Sequence, residues 1–292
     1  MSKTFKLRAQ AAELANAGGN LLLEAERLSC SLIIGEHGRR KAGVGDHFWQ
    51  YRPFENGVDS PRLIDHRRSA QQDQYFVRQL EWKTPQALHV WIDQSASMRF
   101  ASKFNTSKNN RAAILVLAIA IAAEKAGERV GLCGGALAPS RGRKQILQLA
   151  EQLNLEMDAD YTSTSPEEFS TNASALIASD FLSKSTNVER VLSIASNRGV
   201  KGVLLQVLDP LECSFPFQGR TIFQSVLGSV EHGTLQAANL KSDYLKRLAD
   251  RQQTLRELAD MARWDFLVDD GSFAPMITLS KIYQSLSKGH IG

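Results

Sequence analysis

An α/β fold, built on a doubly wound and mostly parallel sheet and preceded by a small β-rich element, is what this sequence predicts. Three observations carry the expectation. Beyond Lys83-Thr84-Pro85, short apolar strand signals alternate with helical ones, the pattern of a parallel sheet covered on both faces. The 292 residues, 43% of them hydrophobic, suffice for one sizeable α/β domain with a smaller element attached. Between Leu21 and Trp82, Gly, Pro and charge break up the text, as short strands and tight turns require.

Taken in order, Phe5 to Arg27 has apolar residues near helical spacing, interrupted by Gly18-Gly19. Ala87–Ile92 reads as the first strand of the sheet, Asn110–Ala126 as a strong helix and Arg129–Cys133 as a second strand. A helix over Gln145–Leu153, a strand over Ala173–Ala178 and a helix over Val188–Asn197 follow. Gly202–Leu208 is a further buried strand, Tyr244–Ala262 a long amphipathic helix, Trp264–Val268 a last strand and Pro275–Leu286 a closing helix. The expected division is an N-terminal helical extension over 1–20, the β-rich element over 21–84 and the α/β domain over 85–292.

Composition narrows the function classes. Lys plus Arg exceed Asp plus Glu by 35 to 31, a mild surplus that does not make a nucleic-acid stripe, so no nucleic-acid partner is expected. The basic runs His37 to Lys41, His66-Arg67-Arg68 and Arg141-Gly142-Arg143-Lys144 read as solvated loops. Cys30, Cys133 and Cys213 stand far apart without a CxxC pair, which suits a reduced, cytoplasmic compartment. The longest apolar run, Ala112 to Ala123, is twelve residues, enough for a buried helix and too short for a membrane span. No G-x-x-x-x-G-K-[ST], HExxH or GxSxG pattern occurs, and His89, on a strand, reads as a core histidine.

One constellation carries chemistry. The strand Leu88-His89-Val90-Trp91-Ile92 runs straight into Asp93-Gln94-Ser95-Ala96-Ser97, placing an acid and two hydroxyls at alternate positions beyond its carboxyl end. In an open α/β sheet, ligands bind there. Ala175-Leu176-Ile177-Ala178-Ser179-Asp180 repeats the design, so Asp93 and Asp180 meet if the two strands are neighbours. Hydroxyl and carboxylate oxygens suit a hard ion, Mg²⁺ or Mn²⁺, that keeps several of its waters. Without a metal, the same Asp and Ser residues serve as turn formers and helix caps.

Asp93-x-Ser95-x-Ser97 resembles the metal-ion-dependent adhesion site of von Willebrand factor A domains, and Ser179-Asp180 resembles that family's later acidic loop. More specific are Ala25-Glu26-Arg27-Leu28, Gly35-Glu36-His37-Gly38-Arg39-Arg40, Gly43-x-Gly45, Phe48-Trp49-Gln50-Tyr51-Arg52, Ile64-Asp65-His66-Arg67-Arg68-Ser69-Ala70 and Phe76-Val77-Arg78-Gln79-Leu80-Glu81-Trp82. With the metal loop these resemble the bacterial family called domain of unknown function 58. The resemblance implies a von Willebrand factor A-like, Rossmann-type sheet behind a β-rich element. It also implies a neighbouring AAA+ ATPase of the MoxR type as partner. The adhesion site's middle-loop threonine falls within Asp160-Tyr161-Thr162-Ser163-Thr164-Ser165, with Thr162 or Thr164 as the candidate. His66 departs from the Trp usual in this family after Ile-Asp, and Gly57-Val58-Asp59 interrupts its usual Gly-Asp pair.

The expected function is therefore a metal-dependent protein-binding module, an adaptor or cochaperone for such an ATPase and not an enzyme. The metal would be held by Asp93, Ser95, Ser97, Thr162 and Asp180. The alternatives are a metal-dependent phosphohydrolase and a metal-free scaffold. The first lacks an expected second carboxylate, because Ser95 stands two residues after Asp93.

Overall fold

The computed structural model describes residues 23–30, 48–54, 64–70, 74–80, 87–102, 106–134, 137–153, 168–182, 186–228 and 231–288. The chain divides into two units, Gly35–Pro85 and Met1–Ile34 with Gln86–Gly292. The division puts residues 21–34 with the larger unit, where helix α1 (residues 23–30) buries Ala25 in the core.

In the smaller unit, β1 (Phe48–Pro53) and β2 (Phe76–Leu80) pair antiparallel, with an irregularity between Phe48 and Gln50. Between them lies the short helix α2 (His66–Ser69), whose start is capped by Asp65 accepting from the Arg68 N–H. The Ser69 hydroxyl donates to the Asp65 carbonyl and accepts from the Phe76 N–H, tying helix to strand.

The larger unit is organised by β3 (Ala87–Ile92), β4 (Arg129–Leu132), β5 (Ser174–Ser179), β6 (Lys201–Val207) and β9 (Asp265–Asp269). They lie in the order β4-β3-β5-β6-β9, every pair parallel. An antiparallel bridge between Val130 and Ser140 follows at the β4 edge. A mixed α/β unit with a five-stranded parallel sheet flanked by helices is what the sequence pattern required. Predicted and observed strands agree to within a residue at each end.

Alternation of side chains across β5, buried along its whole length, creates two cores. Leu176 and Ala178 face helices α3 (Lys108–Lys125), α4 (Arg143–Leu153) and α8 (Pro275–Lys288), whereas Ala175 and Ile177 face α5 (Thr186–Asn197) and α7 (Lys241–Met261). Helix α3 is capped by Ser107, and Ala112 to Ala122 is buried without a break, which is why its hydrophobicity has no preferred side. Among the described residues no helix is long and apolar enough to cross a membrane.

After β6 comes a segment in which the sequence pattern predicts no element. It holds the single-turn helix α6 (Pro210–Ser214) and an antiparallel pair, β7 (Thr221–Gln224) with β8 (Glu231–Thr234). Phe223 points inward and stacks on Phe215 at 5.5 Å, so an aromatic cluster fixes the pair where alternation alone is too short to read.

Gly202 shows how closely β5, β6 and β9 approach. A Cβ there would press on the Ala175 carbonyl and lie 2.9 Å from the ring of Trp264, which is itself pinned by donating Nε1–H to the Val200 carbonyl. Gly202→Ala is therefore expected to lower stability by about 1–3 kcal/mol, the usual cost of overpacking. Chemical denaturation monitored by Trp fluorescence would measure it.

Candidate metal centre

Counted along the chain, the sheet order is 2-1-3-4-5, and the direction of winding reverses between β3 and β5. Ligands of such sheets bind beyond the carboxyl ends of the strands at that reversal. The register pairs Ile92 with Ala178, and the Asp93 N–H donates to the Ala178 carbonyl at 2.9 Å, so both acidic loops leave the sheet side by side. The convergence expected from the sequence is present.

Asp93, Ser95 and Asp180 are each no more than 2% exposed. One Asp93 oxygen accepts from the Ser95 N–H at 2.9 Å and the other from the Ser179 hydroxyl at 2.8 Å. The Ser95 and Ser97 hydroxyls are hydrogen-bonded to each other, their oxygens 3.1 Å apart. Burial raises the Asp93 carboxyl above its ordinary value; hydrogen bonds from Ser95 and Ser179 pull it down, and the negative charge of Asp180 adds to the rise.

Asp180 is fixed from three sides. Its Oδ1 accepts from the Leu182 N–H, its carbonyl accepts from the Gln206 side chain, and its Oδ2 takes the Lys108 ammonium at 3.0 Å. The next residue, Phe181, has a left-handed backbone with φ of 50°, and its carbonyl is held by Arg251 of α7. Such a conformation costs about 1–3 kcal/mol and persists only where its surroundings dictate it.

Lys108 and Glu212 were absent from the sequence-derived site. The Lys108 ammonium, with a side chain 2% exposed, also meets Glu212 at 2.8 Å. Burial opposes its charge, but the carboxylates of Asp180 and Glu212 outweigh that and hold its pKa above the ordinary lysine value. Glu212 closes a capping box with Asp209 at the start of α6, and Asp209 accepts from the Ser102 N–H. In sequence, Asp209-Pro210-Leu211-Glu212 announces a helix start and nothing more; Lys108 gives no local signal at all.

Of the expected ligands, Asp93, Ser95, Ser97 and Asp180 gather in one place, while Thr162 and its alternative Thr164 lie outside the described residues. Adjacent corners of an octahedron with metal–oxygen bonds of about 2.1 Å are about 3 Å apart, so the two serine oxygens fit a hard ion such as Mg²⁺. Among the described residues no three His, Cys, Asp or Glu side chains form a metal cluster, so the donor set is hydroxyl-rich and would leave coordination to water. Asp93, Asp180 and Glu212 against Lys108 leave the centre formally negative by two, a balance that a divalent cation matches. His89 is buried, with Nε2 accepting from the Ser170 N–H, and burial lowers its pKa; it serves the core.

Two outcomes follow. Lys108→Met leaves the buried Asp180 and the part-buried Glu212 without a counterion and is expected to cost about 3–5 kcal/mol in thermal or urea unfolding. Because the folded-state pKa of Lys108 lies above 10.5, the bridge's contribution is complete at neutral pH and is lost only as pH rises beyond that value. Asp93 has the opposite linkage. Its folded pKa is raised above 3.8, so ionising it costs stability as pH climbs through and beyond that point. Asp93→Asn is therefore expected to match or exceed the parent in melting temperature at pH 7, with a flatter pH dependence above 4.

Comparison with solved structures finds the conserved hypothetical protein BatB from Bacteroides thetaiotaomicron, at 14% identity, covering 70% of this chain and 100% of that one with a TM-score of 0.39. An aerotolerance-related membrane protein from Bacteroides fragilis is similar at 14% identity, covering 70% and 99%, with a TM-score of 0.38. Likeness of this degree transfers no role. No curated protein matches the chain. Residues 50–254, well over half of the chain and including every residue of the site, match the family described as protein of unknown function DUF58, and the chain belongs to that family.

Proposed function

We propose that the chain is a metal-dependent protein-binding module of the von Willebrand factor A type, with Mg²⁺ or Mn²⁺ held by Ser95 and Ser97. Asp93 and Asp180 orient the ion's waters and supply compensating charge. The carrying observation is the pair of serine hydroxyls 3.1 Å apart, backed by a buried carboxylate at the reversal of the sheet. An ion held mainly by neutral hydroxyls remains a strong Lewis acid, and a carboxylate from a partner protein completes its shell. The partner implied by the family resemblance is an AAA+ ATPase of the MoxR type, and the unbridged cysteines suit a cytoplasmic setting.

A second reading, a metal-free scaffold, is favoured by one contact. The Lys108 ammonium already occupies the Asp180 carboxylate and gives the centre a fixed cation of its own.

Titration calorimetry with Mg²⁺ and pull-down from the native cell, each with and without chelator, separate the two. Under the metal-dependent reading, Asp93→Ala weakens Mg²⁺ binding by about 10- to 100-fold and abolishes capture of the ATPase without unfolding the chain. Capture that survives both chelator and substitution would establish the scaffold instead.

A further inference from the structure

Opening from the metal loop, with Ser97 and Asp180 in its wall, lies a cavity of about 220 Å³ whose aromatic part the metal reading leaves unused. Its walls are aromatic, comprising Phe100, Phe215, Phe217, Phe223 and Tyr244, and its lining includes the carboxylates of Asp180 and Glu212 with the Lys108 ammonium between them. The rings brace one another. Phe215 packs on Phe217 at 5.2 Å, on Phe223 at 5.5 Å and on Tyr244 at 4.8 Å, and Phe217 meets Phe223 edge-on at 5.3 Å.

Two features select the occupant. Drug-sized ligands need about 300–1,000 Å³, so this space suits a single side chain or a molecule of that size. The charges on the lining sum to minus one, which repels an anion and attracts a cation, and aromatic faces add cation–π attraction. Lys108 supplies an example within the chain: its ammonium rests between the same two acids and lies 6.0 Å from the centre of the Phe100 ring. Burial raises the Tyr244 hydroxyl, and Glu212 and Asp180 add to the rise, as a negative potential at that wall requires.

We propose that this cavity binds an organic cation on an apolar stem, an ammonium or guanidinium carried by a short alkyl chain. The stem packs against the phenylalanines and the charge lies toward Asp180 and Glu212. The proposal needs no bound ion, but the cavity shares Ser97 and Asp180 with the metal centre, so a divalent ion bound there would compete with the organic cation. Its chemistry is shared by the side chain of a lysine in a partner protein and by a small free alkylamine.

The test is methyl NMR of the full chain in the presence of chelator, following Leu182, Leu211 and Val226, which line the cavity. The probes are n-butylammonium against n-butanol, and a capped Gly-Lys-Gly peptide against its norleucine counterpart. Each cation is expected to shift these methyls and to bind about tenfold more tightly than its neutral analogue. Glu212→Gln keeps an acceptor for Lys108 and should reduce that preference. Val226→Trp, at a turn position that is 47% exposed, should plug the entrance without disturbing the core and weaken both cations. A tighter peptide assigns the cavity to a partner's lysine, whereas equal or tighter butylammonium assigns it to a free amine. Neutral probes binding as well as cations, methyl signals unmoved by every probe, or cation binding unchanged in Val226→Trp would each overturn the proposal.

Discussion

The ammonium of Lys108 is the charge on which the centre depends. It is almost wholly withdrawn from water and compensated by carboxylates from two different segments, one following β5 and one opening α6. A buried ion pair of this kind contributes little net stability compared with a well-packed apolar substitute, yet losing one member strands the others in a medium that cannot solvate them. Position is what it secures. The first turn of α3, the loop after Asp180 and the start of α6 are all referred to a single nitrogen atom.

Around that nitrogen, backbone geometry prepares the oxygens. Parallel pairing of β3 with β5 sets Asp93 beside Ser179 and Asp180, and the hydrogen bonds from Ser95 and Ser179 then leave the Asp93 carboxylate one orientation. Hydroxyls, being neutral, tolerate burial once they find a partner. A loop that offers two of them with one acid can wait for a cation at less electrostatic cost than a loop of three carboxylates.

Much of the fold was legible in the chain because its signals are long or emphatic. Strand β5 centres on four consecutive apolar residues, Ala175–Ala178, followed by Ser179 and an acid, and α3 carries twelve consecutive apolar residues. The Asp-x-Ser-x-Ser loop was equally plain, since its residues are neighbours in sequence. Lys108 and Glu212 were not legible: the first is separated from Asp180 by 72 positions and the second by 32, and Glu212 sits in the first turn of a helix, where an acid is ordinary. The β7–β8 pair escaped for a related reason. Its strands are four residues each and largely exposed, so they carry little apolar pattern, and β7 is held to the aromatic cluster through Phe223.

Helix α7 touches the centre through consecutive residues, Arg251 on the Phe181 carbonyl and Gln252 on the Gln206 side chain, which in turn holds the Asp180 carbonyl. Both grips act on the same short loop from one rod of 21 residues. Two successive carbonyls, those of Asp180 and Phe181, are thus tied to one helix, so the acidic loop cannot leave its place without giving up both ties.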